Sequence, residues 1–354
     1  MRVPDEIRKT VLFIGVKNRL GAWDWSGTGY LIALSDYQLR WSETMEENGK
    51  QFATSTAHPF RLLATARHVA EKLEGVDFAL KTMTVDGQPR IIEVPAGQQW
   101  FYHPTEKDDV DAAVTIFYPP DVRELALFTV QAEWFADEDA IREANLGVGD
   151  EVFIAGLFTM VRETILQHPI VRIGNLAMMP GERIPFGGKL IDAYLVESRS
   201  IGGLSGSPVF VRATVQVDAG LKFKPGFALN AVNSPTPNIE GIERLFLSGV
   251  GRIYFLGSMI GHWEAQTPTL SETVNMGVSL VVPAHKILEI IRQPELIEMA
   301  DKIINEMQKS NVEAKAVFDF YDSKEKPFTQ QDFESDLRKV TRRVETSESG
   351  EGTK

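Results

Sequence analysis

The chain has 354 residues, 43% of them hydrophobic and 24% charged, a composition that suits a globular protein with a sizeable core and excludes wholesale disorder. Acidic residues outnumber basic ones 49 to 37, and the formal net charge of −12 repels polyanions, so nucleic acid is excluded as a partner and soluble proteins or peptides fit better. With no cysteine, the chain has no disulfide and no thiolate metal site.

The first apolar run, 11–16, is too short for a signal-peptide core or a membrane span, so the expectation is a cytoplasmic protein that does not engage the membrane. From there to Pro283, short runs rich in Val, Ile, Leu and Phe alternate with turn residues. They predict strands at 10–16, 29–34, 61–66, 112–117, 151–154, 193–197, 209–212, 253–260 and 276–282, an all-β body without the long intervening helices of a parallel sheet. Two stretches, polar 35–59 and proline-bearing 213–249, read as loop insertions. After Pro283 the period becomes helical around Pro294, predicting one helix that ends near Arg292 and a second over 294–308. Farther on, Thr329 and Asp332 form a loose capping box ahead of Phe333, Leu337 and Val340, and 346–354 is polar enough to be disordered. The organisation expected is a body over 1–293 and a short helical tail over 294–354.

Three segments carry chemistry. Ala64-Thr65-Ala66-Arg67-His68-Val69 sets a histidine at the end of an apolar strand; alone, it reads as a satisfied strand-end histidine. Asp109-Val110-Asp111-Ala112-Ala113-Val114 sets an acid directly before an apolar run. Asp108 and Asp109 are its rivals, and Asp111 is preferred as the last position before burial. Gly202-Gly203-Leu204-Ser205-Gly206-Ser207-Pro208 flanks a serine with glycines that permit a tight turn, so that main-chain N–H groups converge beside its hydroxyl. A serine needs an adjacent base to act as a nucleophile, and that base needs a partner to fix its tautomer. The sequence offers all three.

In that order the segments resemble the trypsin-like serine peptidases of chymotrypsin fold, in their bacterial-type, disulfide-free form. Gly27-Thr28-Gly29-Tyr30 and Gly147-Val148-Gly149-Asp150 resemble that family's flanking segments, and the likeness runs from roughly residue 10 to residue 290. The resemblance implies two six-stranded antiparallel β-barrels with a C-terminal helix. It implies a catalytic triad of His68, Asp111 and Ser205, an oxyanion hole formed by the backbone N–H groups of Gly203 and Ser205, and a substrate-binding strand including Ile260, Gly261 and His262. Arg199 falls where the family places the floor of its primary specificity pocket, or else faces solvent. The implied activity is serine endopeptidase, with a protein or peptide substrate and neither cofactor nor metal; His58, His103, His168 and His285 are too dispersed for a zinc site. Two alternatives stand beside it: a non-catalytic peptide-binding module, and a peptidase dedicated to one partner or to itself. One departure is evident. Digestive members pair a freed terminus with an aspartate just before the nucleophile, whereas this chain has Leu204 there, so zymogen cleavage is not expected.

Overall fold

The computed structural model describes residues 3–47, 50–117, 124–157, 169–198, 204–213, 251–266 and 273–309; at 35–59, 264–266, 273–275 and 306–309 it describes the backbone alone. In the first half, β1 (Val11–Lys17), β2 (Trp23–Glu47), β3 (Lys50–Thr65), β4 (Phe78–Met83), β5 (Pro89–Val94), β6 (Phe101–Tyr102) and β7 (Ala113–Ile116) pair in the order β5-β4-β1-β2-β3-β7-β6. An eighth strand, β8 (Val130–Gln131), runs parallel to β2. Helix α1 (Asp5–Lys9) precedes β1, and α2 (Arg67–Ala70) follows β3. In the second half, after α3 (Glu138–Ala144), strands β9 (Glu151–Gly156), β10 (Ile170–Met178), β13 (Tyr194–Glu197), β14 (Pro208–Arg212), β15 (Ile253–Gln266) and β16 (Thr273–Pro283) form a closed antiparallel barrel. A small hairpin of β11 (Ile184–Phe186) and β12 (Lys189–Ile191) stands outside it. Helices α4 (Ala284–Ile291) and α5 (Pro294–Lys309) follow β16.

The fold is the all-β, two-part architecture expected. Its second half is the six-stranded barrel anticipated, while its first is an eight-stranded sheet in which, among the described residues, no ladder joins the edge strands β5 and β6. That sheet is nonetheless rolled. Ile92 and Val94 of β5 share one buried cluster with Leu63 of β3 and Ala113 of β7, and Phe78 lies 6.3 Å, centroid to centroid, from Trp100 beside β6.

Two-sided burial explains the unbroken apolar runs. Along β1, Leu12 and Ile14 point into the core of the first half, while Val11 and Phe13 point into a core shared by both halves. The second barrel does the same: Val209 and Val211 of β14 face its interior, and Phe210 faces the shared core. Because side chains alternate along a strand, a strand covered on both faces has no polar face to show. Tyr30, Phe135, Phe210 and Phe255 meet in the shared core, with Phe255 centroids 5.3, 4.7 and 5.8 Å from the other three rings. Full burial of such side chains stabilises by about 1.5–3 kcal/mol each.

Helix α4 completes this shared core with Ile287, Leu288, Ile290 and Ile291, and α5 adds Leu296 and Ala300. The boundary expected after residue 293 therefore runs through packed structure; at least the first two turns of α5 belong with the body. The stretch 35–59, read as a loop, is an extension of the β2–β3 hairpin whose backbone pairs from Gln38↔Pro59 to Glu47↔Lys50 beyond an irregularity at Leu34/Gln38. The second insertion from 214 onward and the tail beyond 309 lie outside the described residues. No described helix is long and apolar enough to cross a membrane.

Candidate active site

His68 sits in the first turn of α2, where main-chain N–H groups have no partner within the helix. Asp111 fills that gap. Its Oδ1 accepts the His68 main-chain N–H at 2.9 Å, and its Oδ2 lies 2.7 Å from His68 Nδ1. A carboxylate only accepts, so Nδ1 carries the proton and Nε2 is left with its lone pair when the ring is neutral. The acid thus caps the helix and fixes the tautomer together. Asp111 is held from either side by Val110 and Ala112, both buried in the shared core.

The rival acids are engaged elsewhere. Asp109 accepts from Arg183 Nη1 at 3.0 Å, and Asp108 meets Arg67 at 3.3 Å and Lys189 at 3.5 Å. Of the three acids, Asp111 is the one whose carboxylate meets the imidazole among the described residues.

Ser205 belongs to a turn between the two halves. Its carbonyl accepts the Thr28 N–H of β2 at 3.0 Å, and the next N–H, from Gly206, is donated to Met259 of β15 at 2.7 Å. Gly206 has φ +83°, and a Cβ there would stand 2.1 Å from Thr28 O, 2.3 Å from Thr65 Oγ1 and 2.9 Å from Ala66 N. Ala66 is the N-cap of the helix that bears His68, so the serine turn and the histidine helix are packed on the same three residues. Gly206→Ala would combine a left-handed backbone with a main-chain collision. It should lower the unfolding midpoint and undock the serine turn, a result that thermal unfolding and active-site labelling would check together; an unchanged midpoint would contradict this packing.

The Ser205 hydroxyl donates to the Ile260 carbonyl at 3.5 Å, at the outer limit of a hydrogen bond. Among the described residues it makes no hydrogen bond to His68, so the His68–Asp111 link of the expected triad is formed and the Ser205–His68 link is not. Rotation about the serine Cα–Cβ bond redirects the hydroxyl without moving the backbone. Among the described residues no acceptor takes the Ser205 N–H. Gly203 and Arg199, the other oxyanion donor and the pocket residue expected, lie outside the described residues.

Of the strand residues expected to meet substrate, Ile260 is buried, while Gly261 and His262 are partly exposed. Among the described residues, strand β15 pairs with β14 as far as Ser258 and with β16 from Gly261 onward. On the side-chain face of that segment stands the β11–β12 hairpin: a Cβ on Gly261 would lie 3.1 Å from the Phe186 ring, which is 6.3 Å from the Trp263 ring. Phe186 gave no signal in the sequence beyond an aromatic residue in a short run.

Sequence reading also missed a set of charges around the segment 103–111 that ends in Asp111. Glu106 is paired with Lys286 of α4 and with Arg183 next to β11. The Lys286 hydrogen bond holds the Glu106 carboxyl below its ordinary range, outweighing the partial burial that pushes it up, and the charges of Lys286 and Arg183 add to the effect. His103 is buried; its Nδ1 accepts the Glu106 N–H at 3.0 Å, so its Nε2 carries the proton toward Glu289 Oε2 at 2.7 Å.

No family model and no curated protein matches this sequence. Solved structures are similar to it at a distance. The apo protease domain of MamO from Magnetospirillum magneticum aligns over 81% of this chain and 98% of its own at 14% identity and a TM-score of 0.41. Deg5 aligns over 59% and 81% of the two chains at 16% identity and 0.34. An inactive form of Rv3671c from M. tuberculosis H37Rv covers 80% and 87% at 12% identity and 0.37. Likenesses this distant say nothing about activity. What the chain's own geometry defines is an all-β fold of two halves, with a paired histidine and aspartate on one half packed beside a serine turn that belongs to the other.

Proposed function

We propose that this chain is a serine endopeptidase. The observation that carries the reading is the double grip of Asp111 on His68, which leaves Nε2 as a base on a helix packed against the Ser205 turn. In this reading Ser205 attacks the scissile carbonyl, His68 takes its proton, and the Ser205 N–H joins that of Gly203 in holding the oxyanion. The tetrahedral intermediate collapses as His68 gives the proton to the leaving amine, and water hydrolyses the resulting acyl-enzyme by the same base. A protein or peptide strand would lie along Ile260, Gly261 and His262.

The test is covalent labelling with a fluorophosphonate, followed by profiling of a diverse peptide library. Asp111→Asn should lower turnover by about 10⁴-fold, the size of loss seen when the acid of such triads becomes an amide. Asp109→Asn should change it little, because Asp109 faces Arg183. Equal losses in the two variants would refute the choice of acid. A second reading, a peptide-binding module without catalysis, is favoured by one observation: the Ser205 hydroxyl is directed to Ile260 rather than to His68. Peptide binding without labelling would select it.

A further inference from the structure

The aspartate of the candidate triad reaches His68 from a short connection between β6 and β7, and such a connection needs something to hold it. Glu106 stands at its middle. The Glu106 carbonyl accepts the main-chain N–H groups of Asp109 at 3.1 Å and Val110 at 2.9 Å, so the turn that delivers Asp111 is hung from Glu106 by the residue immediately before the acid. The Glu106 side chain points the other way, to Lys286 on α4 and Arg183 beside the β11–β12 hairpin. Both cations belong to parts of the chain that follow the second barrel's first strands, far from the first sheet in sequence. Lys286 is held in turn near Glu289, which receives His103 Nε2. His103 and Glu106, on the side of the turn that leaves β6, are therefore both tied to α4.

We propose that Glu106 is a positioning residue, which, through its pairing with Lys286 and Arg183, fixes the turn 106–110 and with it the orientation of Asp111 against His68. This rests on the endopeptidase reading for its effect on rate, but not for its effect on the His68–Asp111 hydrogen bond. Glu106 touches neither substrate nor the reacting atoms. Its work is geometric: an acid displaced by about 1 Å no longer holds the imidazole square to the serine, and displacements of that size cost about 100-fold in rate.

Two readouts on the full chain separate the claims. One is the rate of fluorophosphonate labelling. The other is the low-field proton resonance of the hydrogen shared by His68 Nδ1 and Asp111, which is present whether or not the chain cleaves anything. Glu106→Ala and Lys286→Met should each slow labelling by about 10- to 100-fold and broaden or shift the low-field proton, while the denaturation midpoint moves little because these ion pairs are partly exposed. Combining the two substitutions should slow labelling no more than Glu106→Ala alone, since Lys286 acts on the turn through Glu106. An unchanged low-field proton in Glu106→Ala would overturn the proposal, as would additive losses in the double variant. If wild type itself takes up no probe, the endopeptidase reading fails, and the proton resonance alone decides the role of Glu106.

Discussion

Ser205→Ala is expected to abolish fluorophosphonate labelling and to lower peptide cleavage by about 10⁴- to 10⁶-fold, the range for loss of a serine nucleophile in this constellation. The fold should not notice. The hydroxyl makes a single long hydrogen bond, to Ile260, and what docks the turn is main chain: the Ser205 carbonyl on Thr28 and the Gly206 N–H on Met259. The unfolding midpoint should accordingly match that of the wild type, and peptide affinity should be retained. His68→Ala should have a comparable effect on rate, since removing either partner of a cooperating pair costs nearly as much as removing both. A Ser205→Ala protein that still labels or still cleaves would end the assignment of Ser205 as nucleophile.

The second large effect is on stability. Leu204, immediately before Ser205, is 1% exposed and sits in the core of the second barrel with Val152, Ile154, Val209 and Leu256. Its Cδ2 would be 2.6 Å from a Cβ on Gly156, so no side chain could be added there and the leucine packs directly on the β9 backbone. Leu204→Asp places a carboxyl in that apolar space without a cationic partner among the described residues around it. The expected loss is about 3–5 kcal/mol, from lost packing together with an unpaired buried acid. Its pH dependence has a definite sign. Burial raises the new carboxyl's folded-state pKa above the unfolded value of about 3.9, so the penalty is least below that value and grows as pH rises through the folded-state value. Denaturant unfolding at acid and neutral pH would check this; a variant as stable as wild type at neutral pH would show that the turn has room for a charge.

How much of this could be read from the residues themselves depended on whether burial left a mark in local order. Strands such as 209–212 and 253–260 were legible because both their faces are covered, which concentrates apolar residues without interruption. Strands β5 and β10 escaped notice because most of their side chains are exposed or only partly buried, so neither a run nor a clean alternation survives. The ribbon at 35–59 is polar, and pairing of two strands by backbone alone demands no apolar period. Within the site, His68, Asp111 and Ser205 were found because each chemical role restricts its neighbours, as glycine does around the serine. The partners of Glu106 were invisible for the opposite reason: Lys286 lies 180 residues away, and a charge pair imposes no pattern on the residues between.

The position of α4 has a consequence for the protein's manufacture. A ribosome releases the histidine, the aspartate and the serine well before residues 284–300, yet these last residues provide the wedge of Ile287, Ile290, Ile291, Leu296 and Ala300 that seals the two halves, and Lys286 that anchors Glu106. A nascent chain stopped short of them owns every reactive group and lacks the frame that aligns them. Whatever the cleft does, its frame stays incomplete until residues 284–300 have been made.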